Sequence, residues 1–216
     1  MQVHHTTFSL AGLTLQRVDF DPLTFSAQDL LWLPHHRQLQ GAVKKRQAEH
    51  LAGRLAAAHA LRAFGCHPIP AIGNQQQPLW PAGLFGSISH CETTALALVA
   101  RHPVGVDIER IMTRTLCAEI ATCLINDDEQ QILHASAFPL TLALTVAFCA
   151  KESLFKAFSS RALPLTDFAA SRILRLDADS VQLRLYPTQY PQLSERRCTV
   201  HWQHNGDHIV ALCADQ

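Results

Sequence analysis

Asp107 and Glu109 stand on either side of one isoleucine in Val104-Gly105-Val106-Asp107-Ile108-Glu109-Arg110. The pattern predicts a strand, on which alternate side chains share a face. Both carboxylates then point one way, and Val106 and Ile108 the other. Their Cα atoms would lie roughly 7 Å apart, within reach of one shared ion. Like charges about 5 Å apart otherwise repel by about 3 kcal/mol at an effective dielectric near ~20. A divalent cation removes that penalty, and oxygen-only donors favour magnesium over zinc. The competing reading is a solvated strand face with Arg110 as counter-charge; D-x-E is a common string, and spacing alone favours that blander reading.

A second segment shifts the balance. Phe148-Cys149-Ala150-Lys151-Glu152-Ser153-Leu154-Phe155-Lys156-Ala157-Phe158 places Glu152 and Lys156 four residues apart, on one helix face. The run Leu140 to Phe148 is apolar apart from Thr141 and Thr145, which marks a mostly buried helix. A charged cluster at the end of such a helix faces a cleft more readily than open solvent. Glu152 is then a third carboxylate for the ion, and Lys156 a cation for a phosphate. The alternative is a surface ion pair.

Two more segments fit a polyanion. Ser89 and His90 end the strand-like stretch Gly86-Ser87-Ile88-Ser89-His90-Cys91 and can donate hydrogen bonds to a phosphate; an ordinary exposed turn is the alternative. Arg46, His50 and Arg54 recur at slightly over one and two helical turns. They form a basic stripe opposite the apolar face, either solvated or an anion site for a ligand with several phosphates. Together the segments describe a magnesium site beside a polyphosphate site, with a carboxylate available as base.

The elements that must position these groups follow from periodicity. Residues 1 to 21 read as a strand, 25 to 33 as a short helix, 42 to 64 as a long helix with Leu51, Leu55, Ala58 and Leu61 inward, and 66 to 83 as loop. Strands are expected over 84 to 89, 95 to 100 and 104 to 109, the last two joined as an antiparallel hairpin through Arg101-His102-Pro103. Residues 115 to 136 are irregularly helical, and 139 to 158 form a second long helix. Residues 172 to 185 and 198 to 213 are strand-like, with Asn205-Gly206 as a hairpin turn. Each half runs long helix, loop, strands. The expectation is an α+β protein of two similar pseudo-symmetric halves, 1–103 and 104–216, each a small antiparallel sheet with a long helix.

The 216 residues carry 18 basic and 18 acidic side chains and are 48% hydrophobic. A zero net charge speaks against a general nucleic-acid surface. The seven cysteines form no C-x-x-C pair, and no apolar run reaches a membrane span. A cytoplasmic protein is expected, with peripheral attachment to a larger assembly left open.

The motifs Gly105 to Glu109 and Phe148 to Lys156, with EHLAGRLAAAHALR, QPLWPAGLFGSISHC and ALALVAR, closely resemble those of the 4′-phosphopantetheinyl transferases, in the branch serving enterobactin-type siderophore synthetases. The resemblance implies transfer of the phosphopantetheine arm of coenzyme A to a serine of apo peptidyl or aryl carrier proteins, releasing adenosine 3′,5′-bisphosphate. It implies two α+β halves with coenzyme A in the cleft between them. Asp107, Glu109 and Glu152 would bind magnesium with the pyrophosphate, and Glu152 would be the base for the serine, directly or through a water. Lys156 and Lys151 would neutralise the leaving phosphate, Ser89 and His90 would bind phosphates, and Arg46 and Arg54 match basic positions near the adenosine 3′-phosphate. Two positions depart from the pattern: Phe148 stands for tryptophan, and Gln75-Gln76-Gln77 where a basic residue is frequent.

Carrier docking is expected over 111 to 125, through Ile111, Met112, Leu116, Ile120 and Leu124 beside Arg110 and Arg114. Cys91 and Cys149 flank the site and are candidates for oxidation. The chain is expected to act as a monomer or within a multienzyme assembly. The readings to be beaten are a magnesium-dependent nucleotide phosphotransferase or hydrolase, an inactive carrier-binding module, and a zinc site at His201, His204 and His208.

Overall fold

Ala11 and Gly12 both take positive φ, 49° and 77°. This two-residue turn folds the expected single N-terminal strand into a hairpin of β1 (Gln2–Leu10) and β2 (Leu13–Asp21). The computed structural model describes residues 1–74, 76–159, 167–186 and 195–214. Contacts divide the chain into two units, Met1–His102 and Pro103–Gln216.

In the first unit β5 (Phe85–Cys91) and β6 (Thr94–Ala100) extend the hairpin into a four-stranded antiparallel sheet, order β1-β2-β6-β5. Helix α1 (Lys44–Arg62) packs on it, burying Leu51 and a series of alanines against Val18, Ala95 and Ala97. The small side chains let the helix lie close to the sheet. The expected short helix is a 3-10 segment, Ala27–Trp32, and the expected loop carries two-residue strands, β3 (Ala71–Ile72) and β4 (Pro78–Leu79).

In the second unit β7 (Val104–Arg110), β8 (Ser171–Leu176), β9 (Ser180–Leu185), β10 (Arg197–Asn205) and β11 (His208–Ala214) form an antiparallel sheet of order β7-β11-β10-β9-β8. The expected hairpin forms, but Asn205 pairs with His208, so its two turn residues are Gly206 and Asp207, one position later than the Asn-Gly signal placed them. The irregular helical stretch is two helices, α2 (Arg114–Leu124) and α3 (Asp127–Ala135), and α4 (Leu140–Ser159) lies across β7 and β11.

The hairpin expected between β6 and β7 does not form. A strand has two edges, and β6 spends both, on β2 and β5, while β7 pairs with β11. Arg101-His102-Pro103 therefore passes from one sheet to the other. The adjacent turn closes β5 onto β6 instead, with Glu92 at φ 52°.

Candidate active site

Gly105 sets the first distance in the site. A Cβ at this position would collide with the Ser153 carbonyl and lie 2.6 Å from the Ala157 nitrogen. The bare backbone lets α4 rest directly on β7. Because alternate residues share a face, Asp107 and Glu109 turn toward the same helix. Val104, Val106 and Ile108 are buried on the opposite face.

Asp107 is only 3% exposed. Its Oδ1 accepts a hydrogen bond from the Lys156 ammonium at 2.5 Å, and Lys156 also donates to the Val106 carbonyl at 3.1 Å. Glu152, one helical turn before Lys156, is half-buried. Burial and, next, the negative charge of Asp107 push its pKa up, with Lys156 opposing. Asp107, Glu152 and Lys156 are thus brought into one electrostatic neighbourhood, as their spacing predicts. Glu109, two residues along the strand and half-buried, joins Asp107 in raising the Cys149 thiol pKa, which burial raises most.

The expected three-carboxylate cage is not preformed. Among the described residues no three His, Cys, Asp or Glu side chains gather closely enough to hold a metal ion. The Lys156 ammonium is the cation that neutralises Asp107 here. His201 and His204 lie three apart on β10, and so on opposite faces, which removes the zinc alternative.

Lys151 does not take the role expected of it. It is 3% exposed, and its ammonium lies 2.8 Å from Glu129 Oε1 and donates to the carbonyls of Leu124 (2.9 Å), Phe168 (3.1 Å) and Ser171 (3.0 Å). Three N–H donors facing four oxygens leave nothing for a phosphate. One residue of helix, about 100°, turns Lys151 away from β7. Cys149 is likewise fully buried, and its thiol stays protonated, so oxidation there is not expected. Cys91 is only half-buried.

A cavity of about 590 Å³ opens beside Glu152, lined by Cys123, Lys151, Phe155, Asp167, Phe168, Ala169 and Ser171. Glu152 therefore lies both near the Asp107 carboxylate and in the wall of this pocket. Phe148, in the place of the expected tryptophan, packs on Phe168 with ring centroids 5.6 Å apart.

In the first unit the basic stripe forms, but it is not the solvated face of α1. Arg54 is 4% exposed, and its Nε has no hydrogen-bond partner among the described residues. Burial and, next, Arg46 lower its pKa to about 10, so the guanidinium remains charged at neutral pH. His50 is not a cation at all. Burial first, then the Arg54 charge, lowers its pKa to about 3. Its Nε2 meets Nε2 of the buried His35 at 2.9 Å. The exposed Arg46 reaches the His90 ring at 2.8 Å. Ser89, its neighbour on β5, points to the other face of the sheet and is buried, so the two do not form one donor pair. The Gln75 end of the glutamine run lies outside the described residues.

A buried guanidinium without a carboxylate partner among the described residues is suited to an anion, and a basic carboxylate beside a lysine is suited to phosphoryl transfer. The 4′-phosphopantetheinyl transferase N-terminal domain matches residues 35–100, and the 4′-phosphopantetheinyl transferase superfamily matches residues 103–213. The chain belongs to the 4′-phosphopantetheinyl transferases. It is 50% identical to enterobactin synthase component D of Salmonella typhi, over 98% of this chain and 90% of that one. It is 44% identical to the protein of the same name from Escherichia coli K12, over 99% and 98%. To the 4′-phosphopantetheinyl transferase PptT of Mycobacterium tuberculosis it is 30% identical over 58% and 55%. This transferase is therefore an enzyme of the α+β class, and no helix among its described residues is long and apolar enough to cross a membrane.

Proposed function

We propose that this transferase moves the phosphopantetheine arm of coenzyme A onto a serine of carrier proteins in an enterobactin-type siderophore synthetase. The observation that carries the reading is the position of Glu152. It stands between the Asp107 carboxylate and a partly aromatic cavity. Coenzyme A has the matching polarity, a diphosphate joined to a long arm with methyl and methylene segments. The cavity volume falls within the range of small-molecule sites, and we place the arm there, with the diphosphate at the charged end.

Phosphoryl transfer asks a protein for alignment and charge compensation. The incoming serine hydroxyl must lose a proton, and Glu152 accepts it. The raised pKa makes Glu152 a stronger base than an ordinary glutamate. Lys156, already beside Asp107, neutralises charge on the departing phosphate. Arg54 and Arg46 hold the 3′-phosphate, which supplies the counter-charge Arg54 lacks.

Asp107, Glu109 and Glu152 fit a magnesium ion by donor type, all hard carboxylate oxygens on facing elements. Bound there with the pyrophosphate, the ion would act as a Lewis acid. A serine carrier with an acidic helix would dock on α2, where Leu116 and Arg114 are both exposed.

The test is mass spectrometry of an apo carrier protein incubated with coenzyme A and magnesium. The carrier gains the mass of the arm with the native enzyme, and Glu152→Gln slows that gain by at least ~100-fold. Hydrolysis of coenzyme A without carrier modification would favour a hydrolase. Unchanged modification by Glu152→Gln would remove the base assignment.

A further inference from the structure

Lys151 and Glu129 form a buried ion pair at the back of the cavity, each 3% exposed. Glu129 is as fully committed as its partner. Its Oε2 accepts from the Asn126 amide at 2.9 Å, closing the N-terminal cap of α3, and its Oε1 accepts from the Ile173 amide of β8 at 2.8 Å. The Lys151 ammonium completes the junction by holding the carbonyls of Leu124, Phe168 and Ser171. These bonds tie four elements to α4: the end of α2, the start of α3, the 3-10 turn Phe168–Ala170 and the start of β8. The same elements supply the cavity wall, through Cys123 from α2, Phe168 and Ala169 from the turn, and Ser171 from β8.

We propose that the Glu129–Lys151 pair is a positioning device that sets the shape of the arm pocket, and through it the affinity for coenzyme A, without touching the reacting atoms. The inference rests on the reading that the arm occupies this cavity. Loss of the pair frees Leu124, Phe168 and Ser171 from a common anchor, so the pocket walls separate while Asp107, Glu152 and Lys156 keep their places on β7 and α4. The pair therefore acts on binding of the arm and not on the proton transfer.

A buried charge left alone can cost the fold, so the test uses the double variant Glu129→Gln/Lys151→Met, which removes both charges together. Circular dichroism first establishes that it is folded. Its KM for coenzyme A rises about tenfold, its kcat stays within about threefold, and inhibition by adenosine 3′,5′-bisphosphate, which lacks the arm, stays within about twofold. Amide hydrogen exchange quickens over 167–173 and 120–124. A folded double variant with unchanged KM overturns the proposal, as does equal weakening toward coenzyme A and the bisphosphate, which would mark general scaffolding. Ala169→Trp separates the two claims: it fills the cavity and raises the KM for coenzyme A. If it leaves that KM unchanged, the arm lies elsewhere and the underlying reading fails, whatever the pair does.

Discussion

Single residues in this transferase are informative through what their charges lack or share. Arg54 carries a buried positive charge without a carboxylate partner among the described residues, an expensive arrangement unless a ligand completes it. Arg54→Met should raise the KM for coenzyme A by about 10- to 100-fold, the usual worth of a charge-assisted hydrogen bond. The KM for 3′-dephospho-coenzyme A should not move, and steady-state kinetics with both substrates reads the difference. His50 makes a separate prediction about acid. Its pKa is lowered to about 3, whereas an unfolded histidine protonates near ~6.5. Between those values the unfolded chain binds the extra proton, so this contribution to stability is fully present above the upper value and is lost as pH falls through the window. Urea unfolding at a series of pH values should show a shallower acid slope for His50→Phe than for the native enzyme.

At the scale of elements, the strand and the two long helices were legible because their periods are clean. Gly105 to Glu109 and Glu152 to Lys156 were placed from alternation and from the i, i+4 rule, and both hold. What was hidden is pairing over long sequence distance. Lys151 looks like one more cation of a phosphate site until Glu129, 22 positions earlier, takes it. Asn126-x-x-Glu129 does read as a capping box, which announces the helix start but not the lysine. Arg54 looks solvated because a basic stripe usually is. The β6–β7 hairpin failed because short separation suggested pairing, while the competition for strand edges cannot be seen locally.

The α2 helix also divides between expectation and structure. Met112 and Leu124 belong to the core rather than to a docking face, whereas Leu116 is 41% exposed and Ile111 and Ile120 are half-buried. Leu116→Asp places a negative charge against an acidic partner helix. It should weaken carrier modification by roughly 1–2 kcal/mol, about tenfold or more in the carrier KM. Coenzyme A binding measured by calorimetry should be unchanged; equal losses in both would move the docking face elsewhere.

At the scale of the whole molecule, each unit builds its own sheet and its own hydrophobic core, with one long helix on each sheet. The first contributes a buried arginine and a neutral histidine pair. The second contributes the carboxylates, the lysine and the cavity. Arg54 thus stands in the first unit, and Asp107, Glu152 and Lys156 stand in the second. A crystal structure with magnesium and coenzyme A tests this division of labour most directly. The expected result is one cation bound by Asp107, Glu109 and Glu152 together with the diphosphate, the 3′-phosphate against Arg54 and the arm in the cavity beside Phe168. A diphosphate bound away from Asp107 and Glu152, with those carboxylates sharing no ion, would contradict it.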